Sequence, residues 1–566
     1  MNKKRLDFIK IFFIFVFPLI LILRIFYIQI WKHNDLMPYV KKQVYSKINV
    51  NIPRGDIMDR NYKVLATSIE SASVYIYPKE FLKYSNSKSF NSDLKLLSSL
   101  VNIPEDEIIE RCEKEKYFCL IEELPLEEAN QIKNIPGIEI RSFFKRIYPQ
   151  ETLFSYIIGK LDKEGKPYSG IEKEFDNFLS AIKNKELTVY KSGSIRRTSI
   201  RLTNLNDILE FTENDKNYSV VLTIDAKLQA KLDKILKKYF SIFSPTTLIC
   251  ILQDPTNGEI ISLNILPETK TPFINPAVNN VYEPGSVFKV FPLAIFLEEK
   301  VVSKDLIFDC ENGEFEYNKI KIRDVKPHKF LNVEDIIVYS SNIGMSKMFL
   351  KFSNPQKFFN YINLFGFGAP TGIELPLEAK GFVPDAESKT YSAITPLMVS
   401  FGQEISATPL QIVNAYSMIA NGGELLQPYI VKSIVDPEGQ IIYEGKKKVI
   451  RKIISPETIK TIKEILYQTT KRGTARGTYL ENVKICAKTG TAQKFDFELK
   501  KYSPTKYMMS CCGFFPMEEP KFVVGVFVDE PKKGSLASEV AVPIFKEVVL
   551  EILNYSNGGI KYAKKD

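Results

Sequence analysis

Histidine is nearly absent from this chain: 566 residues contain two, His33 and His328. His33 follows an apolar N-terminal run, so a Ser-His-Asp triad or a multi-histidine zinc site would have to rest on His328 alone. Any nucleophile here needs a different base. Cysteine is sparse as well. None of the seven (Cys112, Cys119, Cys250, Cys310, Cys486, Cys511 and Cys512) stands in C-x-x-C spacing, which argues against zinc. The odd total leaves at least one thiol unpaired within the chain. Most are expected to be buried and free, packing as small hydrophobes, while Cys112 and Cys119 could pair if that region lies outside the cytoplasm. Concentrated charge is missing too. The net charge of +10 arises from 77 basic and 67 acidic residues mixed along the chain, with clusters no longer than Lys446-Lys447-Lys448. A nucleic-acid binder gathers its excess into an arm or stripe, so no nucleic-acid partner is expected. There is no internal repeat. At this length, with 45% hydrophobic and 25% charged residues, two or three folded domains are expected.

Long apolar runs are limited to one. Lys3, Lys4 and Arg5 precede a stretch from Phe8 to Trp31 in which Lys10, Arg24 and Gln29 are the strongly polar residues. As a helix it spans about 36 Å, enough for a hydrocarbon core of ~30 Å. Lys10 and Arg24 can snorkel, and Trp31 suits an interface. No small-x-small cleavage pattern follows, which favours an anchor over a removable signal. The basic start places the N-terminus in the cytoplasm. The expectation is a single-pass protein of the cytoplasmic membrane: residues 1–7 inside, 8–31 spanning, and a large body outside.

In that body, residues 40 to about 205 read as strand-rich. Val64-Leu65-Ala66 and Ala72 to Tyr77 suggest two short strands, Leu94 to Val101 and Pro104 to Cys112 two helices. Lys191 to Ser194 with Arg196 and Arg197 suggests a polar loop. At Asn217 the texture changes. Val220 to Ile224 reads as a strand, and Asp225 can cap a helix from Ala226 to Tyr239. Strands at Thr246–Gln253 and Glu259–Leu266 flank Asn257-Gly258, a strong hairpin signal. Helical patterns fill most of 286 to 420. Strands return at 483–493, 507–515 and 521–530, before a last helix from Val542 to Leu553. Strands at both ends with helices between predict one sheet built from both ends of the domain.

Three short motifs carry chemistry. In Tyr282-Glu283-Pro284-Gly285-Ser286-Val287-Phe288-Lys289, Pro284 and Gly285 predict that Ser286 opens a helix, with Lys289 one turn on along the same face. A serine hydroxyl needs a base, and lysine serves only when neutral, through burial or a neighbouring positive charge. Ser340-Ser341-Asn342 follows a helix that Asn332 can cap; helical pattern resumes after Gly344, putting the triplet on an interhelical loop. There a hydroxyl and an amide can relay a proton and grip a peptide. Lys488-Thr489-Gly490-Thr491 lies on a strand starting near Val483, with Lys488 and Gly490 on one face and the two threonines on the other. Those cationic and hydroxyl groups can receive a carboxylate, and Gly490 permits close approach. Each motif alone is weak, and more often a solvated helix, a cap or an edge strand. In this order they form the signature set of penicillin-binding proteins and serine β-lactamases.

Beyond the anchor the chain resembles class B penicillin-binding proteins. Arg54-Gly55-Asp56-Ile57-Met58-Asp59-Arg60-Asn61, Arg146-Ile147-Tyr148-Pro149 and Gly170-Ile171-Glu172-Lys173-Glu174-Phe175-Asp176 look like their pedestal motifs. Leu222-Thr223-Ile224-Asp225 with Leu228-Gln229 looks like the start of their catalytic domain. Tyr282 to Lys289 and Ala407-Thr408-Pro409-Leu410-Gln411 resemble the division-specific, FtsI-like branch; the elongation branch usually has Pro-Pro-Gly-Ser. The resemblance implies an α+β fold: the membrane helix, an elongated strand-rich pedestal over 32–214, a transpeptidase domain over 215–556 with a central antiparallel sheet flanked by helices, and a tail over 557–566. It implies a D,D-transpeptidase that cross-links peptidoglycan stem peptides, in septal synthesis. Ser286 attacks the penultimate D-Ala carbonyl, Lys289 is the base, Ser340 passes the proton on and Asn342 holds the peptide. Lys488, Thr489, Gly490 and Thr491 form the strand that receives the terminal carboxylate. Backbone N–H groups of Ser286 and Thr491 make the oxyanion hole. No metal or organic cofactor is implied. Implied partners are D-Ala-D-Ala donors, amine acceptors, β-lactams as covalent inhibitors, the membrane, a SEDS-family glycosyltransferase and other division proteins.

Two positions depart from the family: Ala487 stands where glycine is frequent, and Gly534-Ser535-Leu536-Ala537 replaces a more glycine-rich loop. The alternatives are an elongation-branch enzyme, a D,D-carboxypeptidase or β-lactamase-type hydrolase, for which the pedestal is superfluous, and a β-lactam sensor, which would need more than the few residues before the anchor. No glycosyltransferase motif is seen in the pedestal.

Overall fold

The computed structural model describes residues 8–37, 45–50, 52–162, 164–180, 185–191, 200–201, 217–269, 274–388, 391–496 and 501–556. Of the loop expected from Lys191 to Arg197, Lys191 ends a strand, Lys185–Lys191, and the rest lies outside the described residues, as do the first seven residues and the tail over 557–566. Phe8–Trp31 forms a helix of 24 residues, long and apolar enough to cross a membrane, with none of that apolar surface buried. Among the described residues it is the one helix that meets this test.

The chain divides into two compact units. The smaller contains residues 1–53, 70–144 and 182–216. In it Ser71 to Ile76 pairs antiparallel with Phe118–Pro125. Helices Phe90–Val101 and Glu105–Lys114 stand at the two expected places, the first beginning four residues before Leu94, the second with Glu105, Asp106 and Glu107 in its first turn, where negative charge suits the helix dipole. Val74, Ile76, Phe81, Leu97, Ile108, Leu124 and Ile132 make its core. The two strands expected at 64–66 and 72–77 are one strand of 13 residues, Val64–Ile76, whose first part belongs to the larger unit. Its polar middle, Thr67 to Ser71, lacks the apolar alternation that would have revealed the continuity. Cys112 and Cys119 are both free thiols, and Cys119 donates to the Ile121 carbonyl instead of pairing.

The larger unit, residues 54–69, 145–181 and 217–566, is organised around a five-stranded antiparallel sheet. Its strands are β1 (Thr247–Gln253), β2 (Ile260–Pro267), β3 (Cys486–Asp496), β4 (Lys501–Phe515) and β5 (Phe522–Asp529), in the order β2-β1-β5-β4-β3. The early hairpin and the late strands therefore share one sheet, as their apolar runs implied. Successive side chains go to opposite faces. Leu252, Cys511 and Val526 pack with helices α1 (Ala226–Phe243) and α7 (Ala537–Ser556), whose Leu232, Leu236, Val540 and Phe545 join the same cluster. Ile251, Cys512 and Phe527 enter the other core with α2 (Val290–Glu298) and α5 (Pro409–Ala420). Asp225 caps α1 by accepting from the N–H groups of Lys227 and Leu228.

Between α2 and α5 lie α3 (Val333–Val338) and α4 (Asn342–Phe352), and α6 (Pro456–Arg472) follows α5. The helical reading of 286–420 fails over 307–332. There Ile307–Asp309 pairs with Phe330–Asn332, and Glu314–Tyr317 with Ile320–Arg323. Asn318 and Lys319 turn the second hairpin with φ of 48° and 66°, the two-residue loop whose twist suits paired strands. Alternation of Phe315 with Glu316 and of Ile320 with Lys321 was strand pattern, concealed by the absence of glycine at the turn.

Candidate active site

α2 does not begin at the serine. Gly285–Lys289 is a 3₁₀ turn, and the α-helix starts at Val290. In a 3₁₀ turn residues i and i+3 eclipse, so Ser286 and Lys289 share one side more closely than α-helical spacing gives. The turn is held by its backbone. Gly285 N–H donates to the Gly402 carbonyl at 2.9 Å. Tyr416, fully buried on α5, donates its hydroxyl to the Val287 carbonyl at 2.8 Å. Glu283 accepts from Glu404 N–H at 2.9 Å and from the Tyr502 hydroxyl at 3.1 Å.

The three motifs meet at one hydroxyl. Lys289, with no exposed surface, sends its Nζ to the Ser340 carbonyl at 2.5 Å and to Asn342 Oδ1 at 2.8 Å. The same amine is 3.2 Å from Ser340 Oγ. Lys488, equally buried, reaches that Oγ at 2.9 Å and the Thr489 carbonyl at 3.1 Å. Ser340 adopts φ 64°, a left-handed conformation uncommon for serine. Strain of this kind persists where surroundings over-determine the backbone, here the loop that aims a hydroxyl between two amines.

The second motif is less of a loop than its spacing suggested. Helix α4 already begins at Asn342, because Ser341 Oγ accepts from Gly344 N–H at 2.9 Å and caps it. Asn342 uses both ends of its amide, Oδ1 toward Lys289 and Nδ2 toward the Arg323 carbonyl at 2.9 Å.

β3 starts at Cys486, three residues later than expected. It lies against the nucleophile turn: a Cβ on Gly490 would stand 3.0 Å from both the Pro284 carbonyl oxygen and Val287 Cγ1, and 2.8 Å from Ser510 Oγ. On the opposite face Thr489 donates to Thr474 Oγ1 at 2.7 Å, and Thr491 Oγ1 accepts from Ala537 N–H at 3.0 Å. The unusual Ala487 is accommodated by its cross-strand partner. It pairs with Gly513, where a Cβ would be 2.7 Å from that of Ala487.

Burial governs the electrostatics. Desolvation holds the Lys289 amine well below its usual 10.5, assisted by the positive charge of Lys488 and opposed by Asp324. Burial pushes Lys488 down to about 7. Both ammonium forms are disfavoured because water is excluded and, among the described residues, no carboxylate bonds to either amine, so a neutral amine beside Ser340 is accessible near neutral pH. A neutral Lys289 presents a lone pair, and Ser340 can then accept from one lysine while donating to the other.

Hydrogen bonds join Lys289, Ser340, Asn342 and Lys488 directly, and Gly490 packs against the nucleophile turn that carries Ser286, whereas the Thr489 and Thr491 hydroxyls bond to Thr474 and Ala537 on the other face of the strand. Asp324, Gly402, Tyr416 and Thr474 were not foreseen. Their side chains or carbonyls act on motifs up to 129 residues away, and no local pattern marks them. Among the described residues no group of three or more His, Cys, Asp or Glu is gathered as a metal site would be.

The comparisons with known proteins agree with this geometry. The model of the penicillin binding protein transpeptidase domain matches residues 248–550, and that of the penicillin-binding protein dimerisation domain matches 49–204. The chain is similar to stage V sporulation protein D of Bacillus subtilis, 28% identical, covering 97% of this chain and 85% of that one. It is similar to the peptidoglycan D,D-transpeptidase FtsI homolog of Mesostigma viride, 27% identical over 98% of this chain and 97% of that one. Among solved structures, penicillin binding protein 2X from Streptococcus thermophilus has the same fold, with TM-score 0.75, 21% identity, and 91% and 82% of the two chains covered. A peptidoglycan synthetase from Bifidobacterium adolescentis aligns with TM-score 0.70, 20% identity, and 92% and 98% coverage. With its S-x-x-K turn, S-x-N cap and K-T-G strand converging on one hydroxyl, and with more than half its length matched, the chain belongs to the penicillin-binding protein transpeptidase family.

Proposed function

We infer that the protein is a serine-type D-Ala-D-Ala transpeptidase that cross-links peptidoglycan stem peptides. The observation that carries the mechanism is the double contact of Ser340 Oγ, 3.2 Å from Lys289 Nζ and 2.9 Å from Lys488 Nζ. Lys289 takes the proton of Ser286 as its Oγ attacks the penultimate D-Ala carbonyl. The oxyanion forms against the backbone N–H groups of Ser286 and Thr491, donors whose loss typically costs about 2.7–4 kcal/mol of barrier. The C–N bond breaks and Ser340 delivers the proton to the departing D-Ala. The acceptor amine then attacks the ester, its proton passes back along the same lysine–serine path, and Ser286 is regenerated as the new peptide bond forms. Lys488, Thr489, Gly490 and Thr491 receive the terminal carboxylate, and Asn342 holds the peptide. A β-lactam acylates Ser286 by the same attack.

We assign the pathway to septal synthesis, on Tyr282-Glu283-Pro284-Gly285-Ser286 and on relatives that carry the FtsI name. The basic residues before Phe8 support a cytoplasmic N-terminus with the anchor over 8–31, a pedestal over 32–214 and a catalytic domain over 215–556 outside. A SEDS-family glycosyltransferase and other division proteins are the partners this placement implies. The test is mass spectrometry of the full-length chain after labelling with fluorescent penicillin. We expect one adduct, on the peptide containing Ser286, absent in Ser286→Ala; an adduct surviving that substitution would defeat the assignment. Imaging of a fluorescent fusion separates the branches, a mid-cell band supporting the septal role and lateral-wall patches the elongation one.

A further inference from the structure

We propose that Asp324, immediately after the Glu314–Tyr317/Ile320–Arg323 hairpin, is a positioning residue of the active site, fixing Asn342 in the orientation in which its amide oxygen meets Lys289. The inference rests on Lys289 being the base. One oxygen of the Asp324 carboxylate accepts from Ser341 Oγ at 2.5 Å. The other accepts from Asn342 N–H at 2.5 Å and from Ile343 N–H at 3.1 Å. These amides open α4, an 11-residue helix, and have no partner inside it. Ser341 already caps α4 from within. Asp324 is a second cap brought in by a separate element, and its charge strengthens each bond.

The neighbouring residue completes the clamp. The Arg323 carbonyl accepts from Asn342 Nδ2 at 2.9 Å, leaving Oδ1 to face Lys289 at 2.8 Å. A flipped amide would set its NH2 against an amine and its oxygen against a carbonyl, two mismatches at once. Two consecutive residues of one hairpin end therefore decide which way the amide points.

Asp324 also bears on Lys289 by charge. The groups facing that amine are the Ser340 carbonyl and hydroxyl, Asn342 Oδ1, the Lys488 amine and, at longer range, the Asp324 carboxylate. Burial and Lys488 favour the neutral amine, and Asp324 opposes them. Removing that negative charge makes Lys289 shed its proton at lower pH, a change that a merely structural cap would not produce.

The experiment measures the acylation rate of the full-length chain in detergent with fluorescent penicillin between pH 5 and 9. Asp324→Asn keeps the side-chain shape and loses the charge. We expect a loss of roughly tenfold or more at the optimum, with the acid limb of the profile moved about one unit lower. Asp324→Glu is expected to be slowed while keeping the parent limb, and thermal melting establishes that each variant is folded. Parent rate with parent limb in Asp324→Asn would overturn the proposal. So would a slowed Asp324→Asn whose limb has not moved, since Asp324 would then be a helix cap and nothing more. If Asp324→Asn does not fold, Asp324→Glu decides by its rate, and parent activity there overturns the proposal. Labelling that persists in Ser286→Ala would remove the underlying mechanism, whatever Asp324 does.

Discussion

Two buried ionic clusters within the larger unit resolve the same physical difficulty in opposite ways. Around Glu172, charge is balanced. Its carboxylate, without exposed surface, receives Arg54 Nε at 2.5 Å and Arg146 Nε at 2.7 Å. Arg54 Nη1 also reaches Asp176 at 2.5 Å, and Arg146 Nη1 donates to the Gly55 carbonyl at 2.8 Å. Guanidinium forks and carboxylates match geometrically, so desolvation is offset by hydrogen bonds. Around Ser340 charge is unbalanced. Two lysines approach one hydroxyl, and among the described residues no carboxylate bonds to either. A balanced buried cluster keeps its ions and holds segments 54–69 and 145–181 together. An unbalanced one relieves desolvation by giving up a proton, and a group poised to give up or take a proton is a catalyst. The lesson is that burial alone does not mark an active site; burial without a counter-ion does.

The comparison can be broken at either end. Lys289→Arg keeps the positive charge but cannot become neutral, so acylation by penicillin per folded molecule should fall about 10³-fold or more, and the melting temperature should also drop because a permanent charge is then buried without a counter-ion. Near-normal acylation would rule Lys289 out as the base. Glu172→Gln should leave the chemistry intact. It strands two buried guanidinium groups and should destabilise the fold by about 3 kcal/mol in thermal melting, with acylation per folded molecule unchanged. A stable but inactive Glu172→Gln would mean that the cluster is catalytic after all.

The sharper probes are smaller. Lys488→Met removes a positive charge that favours neutral Lys289. The Lys289 proton should then be held to higher pH, moving the acid limb of acylation upward by about one unit. An unmoved limb would separate the two amines. Arg54→Lys retains charge but loses the fork, and about 1–2 kcal/mol of stability should go with no change in the pH profile.

Legibility in the sequence followed the range of the forces involved. The nucleophile turn, the caps at Asp225 and Asn332 and the alternating strands of the sheet are local, and their residue spacing shows them. Ser340's left-handed backbone, Gly402 beneath the nucleophile and Tyr416 on Val287 are tertiary, and nothing near them announces it. Asp324 is the instructive case. Its hairpin carried period-two alternation over Glu314–Tyr317 and Ile320–Arg323, but the Asn318-Lys319 turn lacks the glycine that makes such hairpins easy to see. The long strand Val64–Ile76 was divided for a related reason, since its middle, Thr67 to Ser71, lacks the apolar alternation that marks a strand.

The central claim is that Lys289 is uncharged when it acts. Its most direct test is an NMR titration of the labelled lysine side-chain carbons in the full-length chain, with Lys289 assigned by the signal lost in Lys289→Arg. The account predicts a titration well below 10.5, displaced upward in Lys488→Met. A Lys289 signal that titrates near 10.5 in the parent would contradict it.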